Sequence, residues 1–135
     1  MADVTHKNVD ELEAIEGVLE GVRFVKAADS LGVTSFGMSI IDMKPGAAGS
    51  PEHDHSEEGI GAEMFAKRPH QLGREEVYVA IRGSGTVEID GEPFPLDPDH
   101  VVRIGPTARR KVTLGLEGLR LLALGGIPGR PYGEP

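Results

Sequence analysis

The chain has 135 residues, 39% of them hydrophobic, which is enough for one domain with a real core and excludes disorder throughout. Its formal net charge of −8 argues against a nucleic-acid partner, which would need a basic stripe. There is no cysteine, which excludes a disulfide framework, a thiolate nucleophile and Cys-ligated zinc or iron–sulfur sites, and no apolar run approaches the ~20 residues of a membrane-spanning helix.

The polar, acidic start "MADVTHKNVDELE" does not read as a signal peptide, so the expected location is the cytoplasm. Residues 8–20, "NVDELEAIEGVLE", hold the one helical candidate. Asn8 or Asp10 can cap it, Leu12, Ile15, Val18 and Leu19 fall at helical spacing, and Gly17 and Gly21 limit its length. From residue 22 the pattern changes. "VRFV" reads as a strand, "KAADSLG" as an irregular or single-turn link, and "VTSFGMSIIDM" as a strand closed by "KPGAAGS".

Further on, "EEVYVAI" and "TVEID" read as strands joined by an "RGSG" turn, followed by the turns "GEPF" and "PLDPD". "HVVRI", "RRKVTL" and "LRLLALGG" read as strands separated by the turns "GPTA" and "GLEG", and the Pro/Gly-rich tail is expected to lie extended. Strands at this spacing with no helix between them predict an antiparallel sandwich or barrel, one domain over 1–135 with its core at about 22–125.

His53 and His55 stand two apart in "SPEHDHSEEG" and point to one side of an extended segment, about 6.6 Å apart. Two neutral imidazoles at that spacing can reach one divalent ion, and a third ligand must come from a neighbouring strand. Glu76, at the head of "EVYVAIRG", is the candidate. Tyr78 shares the face of Glu76 and is a candidate pocket wall or proton donor, with core packing as its other role.

"PG" at 45–46, "HDH" at 53–55 and Glu76, with six residues between it and Gly83, resemble the first signature of the cupins. A weaker second signature runs from Gly91 through "PLDPDHVVRIGPTARR". The resemblance covers about residues 35–125. It implies an all-β double-stranded β-helix, a jelly-roll barrel, here with a short N-terminal helix or turn. It also implies one metal held by two histidines, a glutamate and a further histidine, which assigns His53, His55 and Glu76 as ligands of a divalent transition metal: Fe, Mn, Ni or Zn.

The chain departs from that pattern in three places. Twenty residues, Ser56 to Glu75, separate His55 from Glu76. Asp99 stands where the family commonly has a turn glycine. Arg110, or Arg109, stands at the place of the last histidine, and arginine stays protonated and cannot be a ligand. His70, inside the insertion, is a candidate replacement ligand.

Two functions remain open on the sequence. One is a metal-dependent oxygenase or isomerase acting on a small organic acid. The other is a non-catalytic, metal-free cupin in which Arg110 pairs with Glu76 and a positive centre holds a small anion. Arg103 is a further candidate for substrate binding or for the outer face. The expected partners are a small-molecule ligand and a second copy of the chain, since Val77, Val79 and Ile81 need cover, with no nucleic acid and no membrane. Residues 58–73 are expected to form a flap over the barrel mouth.

Overall fold

The computed structural model describes residues 2–47 and 73–128. Among these residues seven strands make one antiparallel hydrogen-bonded system. They are β1 (Ile15–Leu19), β2 (Val22–Val25), β3 (Gly37–Met43), β4 (Glu75–Ile89), β5 (Glu92–Leu96), β6 (Val101–Ile104) and β7 (Arg110–Gly126). Their lateral order is β1-β2-β3-β7-β4-β5, and β6 pairs with β4 as well. Among the described residues no helix is long and apolar enough to cross a membrane.

The short helix or turn expected within 8–20 is a 3-10 turn, Val9–Glu11, whose Asn8 side chain accepts from the Asp10 amide at 2.9 Å. The rest of that segment is β1, in a hairpin with β2. The apolar spacing suited a helix, but Gly17 and Gly21 weaken one, and pairing with β2 satisfies the same backbone groups. The "KAADSLG" link does contain a single helical turn, α1 (Ala27–Leu31).

The paired runs read as separate strands are in fact continuous. "EEVYVAI–RGSG–TVEI" forms β4 and "RKVTL–GLEG–LRLLALGG" forms β7, and the two pair from Glu75↔Gly126 to Ile89↔Arg110. The supposed turns are irregularities in this ribbon, between Ala80 and Arg82 and between Gly83 and Gly85, and they face each other. A Cβ on Gly83 would collide with the Gly118 carbonyl, and one on Gly118 would lie 2.5 Å from the Met43 carbonyl oxygen; both glycines also have positive φ. Glycine here allows close backbone approach at a bend.

β4 has to bend. Thirteen steps from Glu76 to Ile89 would span about 43 Å if straight. Yet Glu76 pairs with Ile104 and Ile89 with Arg110, and the six steps from Ile104 to Arg110 reach at most about 22 Å. The ribbon therefore curls back on itself, as a jelly roll requires.

"GEPFP", read as turn, is largely strand. Asp90 (φ 50) and Gly91 (φ 86) make a two-residue hairpin turn, and β5 follows with Pro93 and Pro95 in register with Glu88 and Thr86. Prolines two apart leave the ladder intact by placing their missing N–H groups on the side away from β4.

Side chains alternate between two clusters. Tyr78, Ala80, Val87, Leu96, Ile104, Val112, Leu119 and Leu121 pack inside the curl. Val25, Ala27 and Ile40 form a smaller cluster on the outer face, covered by Val9, Leu12 and Ala14 of the N-terminal segment.

Candidate functional site

Glu76 and Tyr78 alternate inward on β4, and Ile104 on β6 lies in register with Glu76. Six residues beyond Ile104, β7 begins with Arg110, whose side chain is fully buried. Its Nη1 donates to Glu76 Oε1 at 2.7 Å, and its Nη2 donates to the Gly105 and Ala108 carbonyl oxygens at 2.7 and 3.0 Å. The Tyr78 hydroxyl donates to the same Glu76 oxygen at 3.3 Å. Arg110 and Glu76, at opposite ends of the β4–β7 ladder, thus meet inside the barrel.

Arg74 joins this group and was not singled out in the sequence. It stands two residues before Glu76, the spacing that puts both on one strand face. Its guanidinium lies over Gly37, where a Cβ would collide with it, and its Cδ would be 3.6 Å from a Cβ on Gly125. Gly37 and Gly125 are register partners, so two bare positions on adjacent strands make its bed. Burial holds the Arg74 guanidinium below the usual arginine range, while the charge of Glu76 acts the other way. Burial pushes the Tyr78 hydroxyl well above the ordinary tyrosine value, and the neighbouring Glu76 carboxylate adds to it.

Strand alternation admits one of the two adjacent arginines, and it is Arg110. Arg109 is exposed, and its amide donates to Asp90 Oδ1 at 2.9 Å. Arg103 is on the outer face with Glu75, its Nε and Nη2 each 2.8 Å from Glu75 Oε2, and is not brought to Glu76. His53, His55 and His70 lie outside the described residues, as does the proposed flap apart from Gly73.

Glu76 is therefore the one expected metal ligand whose surroundings are described. Its Oε1 already accepts from two donors, one a permanently charged guanidinium. Among the described residues, two cations lie beside this one carboxylate.

Several solved structures share the architecture. A cupin protein from Bacteroides fragilis is 23% identical, with a TM-score of 0.65 over 100% of this chain and 93% of its own. A sugar phosphate isomerase of the cupin superfamily from Silicibacter pomeroyi is 17% identical, with a TM-score of 0.64 over 90% of this chain and 74% of its own. A polyketide cyclase from Streptomyces resistomycificus is 12% identical, with a TM-score of 0.62 over 96% of this chain and 80% of its own. The sequence matches no protein-family profile and no curated protein. The chain has the cupin fold, an all-β jelly-roll barrel, as the sequence signatures implied.

Proposed function

We propose that the protein is a metal-independent cupin that binds a small organic anion, a carboxylate, at the barrel end where Arg74, Glu76, Tyr78 and Arg110 meet. The observation that supports this reading is the 2.7 Å ion pair between Glu76 and the fully buried Arg110, with the half-buried Arg74 beside it. Among the described residues, one carboxylate between two guanidinium groups makes a net positive centre in a chain of net charge −8.

The roles divide by burial. Arg110 gives its donors to Glu76 and two backbone carbonyls, so it fixes Glu76 and supplies field. Arg74 is the more accessible cation and makes the charge-assisted contact with the ligand carboxylate. Tyr78 stays a neutral donor at any physiological pH because its ionised form is disfavoured there.

Calorimetric titration of EDTA-treated protein with a panel of small mono- and dicarboxylates tests this. Saturable binding is expected without metal, weakened about tenfold or more in Arg74→Met, which removes a charged hydrogen-bond donor and keeps the stem. No binding by the EDTA-treated protein, together with stoichiometric Mn, Fe, Ni or Zn uptake abolished by His53→Ala, would replace this reading with the metal-dependent one.

A further inference from the structure

A second charged constellation lies on the outer face of the sheet. Arg23 on β2, Asp42 on β3, Arg120 on β7 and Arg82 on β4 stand in one lateral register across four adjacent strands. The row therefore carries three guanidinium groups and one carboxylate at the ~4.8 Å strand spacing.

Two of the three arginines are satisfied. Arg120 donates to both oxygens of Asp42 at 2.6 and 2.9 Å, and to Asp10 Oδ1 at 2.6 Å. Arg23 donates to the Val9 and Leu12 carbonyl oxygens, and its Nη1 is 3.9 Å from Asp42. Arg82 is different. It is exposed, it sits directly opposite Arg120, and no acidic side chain among the described residues hydrogen-bonds or ion-pairs with it. Like charges directly opposite on neighbouring strands are unfavourable. The Arg82 charge acts on Asp10, whose carboxyl is held below its ordinary value by Arg120 and, more weakly, by Arg82 and Arg23.

The row borders a cleft of about 450 Å3, to which Lys44 adds a fourth cation and Glu117 a third carboxylate. Among the described residues the cleft is thus locally positive on an acidic chain, a field that concentrates anions. Arg82 and Arg120 are cross-strand partners with Cα atoms about 5 Å apart. A monocarboxylate neutralises one such guanidinium. A phosphoryl dianion, with three acceptor oxygens, can bridge both.

We propose that this outer cleft binds a phosphoryl group, as free phosphate or a phosphate monoester, through Arg82 and Arg120, and that Asp10 is a built-in competitor which the ligand displaces. Asp10 suits that part. Its side chain is 71% exposed and projects from a 3-10 turn rather than from the sheet. Displacing it costs one ion pair, open to solvent on the Asp10 side and 12% exposed at Arg120.

The test is calorimetric titration of the full chain with inorganic phosphate, comparing wild type, Arg82→Met and Asp10→Asn. Both changes are at exposed side chains, and circular dichroism confirms folding. Arg82→Met is expected to weaken phosphate about tenfold or more, the loss of a charged hydrogen-bond donor. Asp10→Asn is expected to strengthen it about two- to fivefold, the worth of an exposed ion pair. Equal affinity of wild type and Arg82→Met, weaker binding in Asp10→Asn, or no saturable heat in wild type would overturn the inference. Phosphate binding that is lost in Arg74→Met and unchanged in Arg82→Met would also overturn it while leaving the barrel site standing.

Discussion

Glu76 and Arg110 stabilise the barrel only as a pair. Glu76→Ala leaves a fully buried guanidinium without its counter-charge, and breaking such a pair typically costs about 3–5 kcal/mol. Glu76→Gln keeps an acceptor for Nη1 and should cost less. The double change Glu76→Leu/Arg110→Met removes both charges and should recover much of the loss. Urea denaturation of the three variants checks this ordering, and a double variant no more stable than Glu76→Ala would contradict it. Tyr78 makes a separate prediction. Its folded value lies above the unfolded value of about 10, so the native state holds its proton longer. The stability contributed is complete below about pH 10 and is lost as pH rises from there toward the folded value. Between pH 9 and 11 wild type should therefore lose stability more steeply than Tyr78→Phe. Parallel pH slopes would rule this out. The sequence placed Glu76 and Tyr78 on one face and offered Arg110 as a partner. It left Arg109 and Arg110 unresolved because strand parity cannot be counted across the 105–109 loop. Arg74 carried the same i, i+2 signal relative to Glu76, but it lies one residue outside β4, where alternation is not an obvious guide.

Strand identity was legible where alternation is strong, as in "VYVAI", "VVRI" and "VRFV", and misread where glycine or proline interrupts it. "RGSG" and "GLEG" have the composition of hairpin turns. In the barrel they are facing corners of one ribbon, and nothing local distinguishes a glycine needed for a turn from one needed because another backbone passes close by. The two cases differ on substitution. Gly118→Ala places a methyl 2.5 Å from the Met43 carbonyl oxygen at positive φ, and should cost at least about 2 kcal/mol. Gly126→Ala, with nothing within 4 Å of the new methyl, should be neutral or stabilise by up to about 1 kcal/mol. Thermal unfolding compares them, and similar melting temperatures would show that the corner tolerates the shift. The N-terminal turn was expected, but the strand after it was missed because Leu12, Ile15, Val18 and Leu19 fit a helical stripe. What decides is the partner, since β2 is only two residues beyond β1 and pairs with it.

The cover for the outer face reaches only part of it. The N-terminal segment packs on Ile40 and Leu122, whereas Ile81 is 48% exposed and Val101 70% exposed on the β4–β6 side. We propose that this side is the contact between two copies of the chain. Analytical ultracentrifugation should find a dimer that Val101→Glu shifts toward monomer, because the substitution puts a charge into an apolar contact. A wild-type monomer at high micromolar concentration would exclude the dimer.

The curled ribbon also has a consequence for the order in which the chain folds. The β4–β5 hairpin closes over the two residues Asp90 and Gly91, and Ile89↔Arg110 is the shortest link from β4 to β7. Pairing can propagate from there past the glycine corner toward Glu75↔Gly126, the most distant partners of that ladder. The Arg110 side chain meets Glu76 only once the β4–β6 pairing, from Val79↔Val101 to Glu76↔Ile104, has also formed. The ion pair is then a late native contact, absent from the rate-limiting barrier, so Glu76→Gln should accelerate unfolding and leave the folding rate nearly unchanged. Stopped-flow measurements in urea would show a displaced unfolding arm over a common folding arm. A slowed folding arm would mean that the two charges find each other first and that the barrel is wound around them.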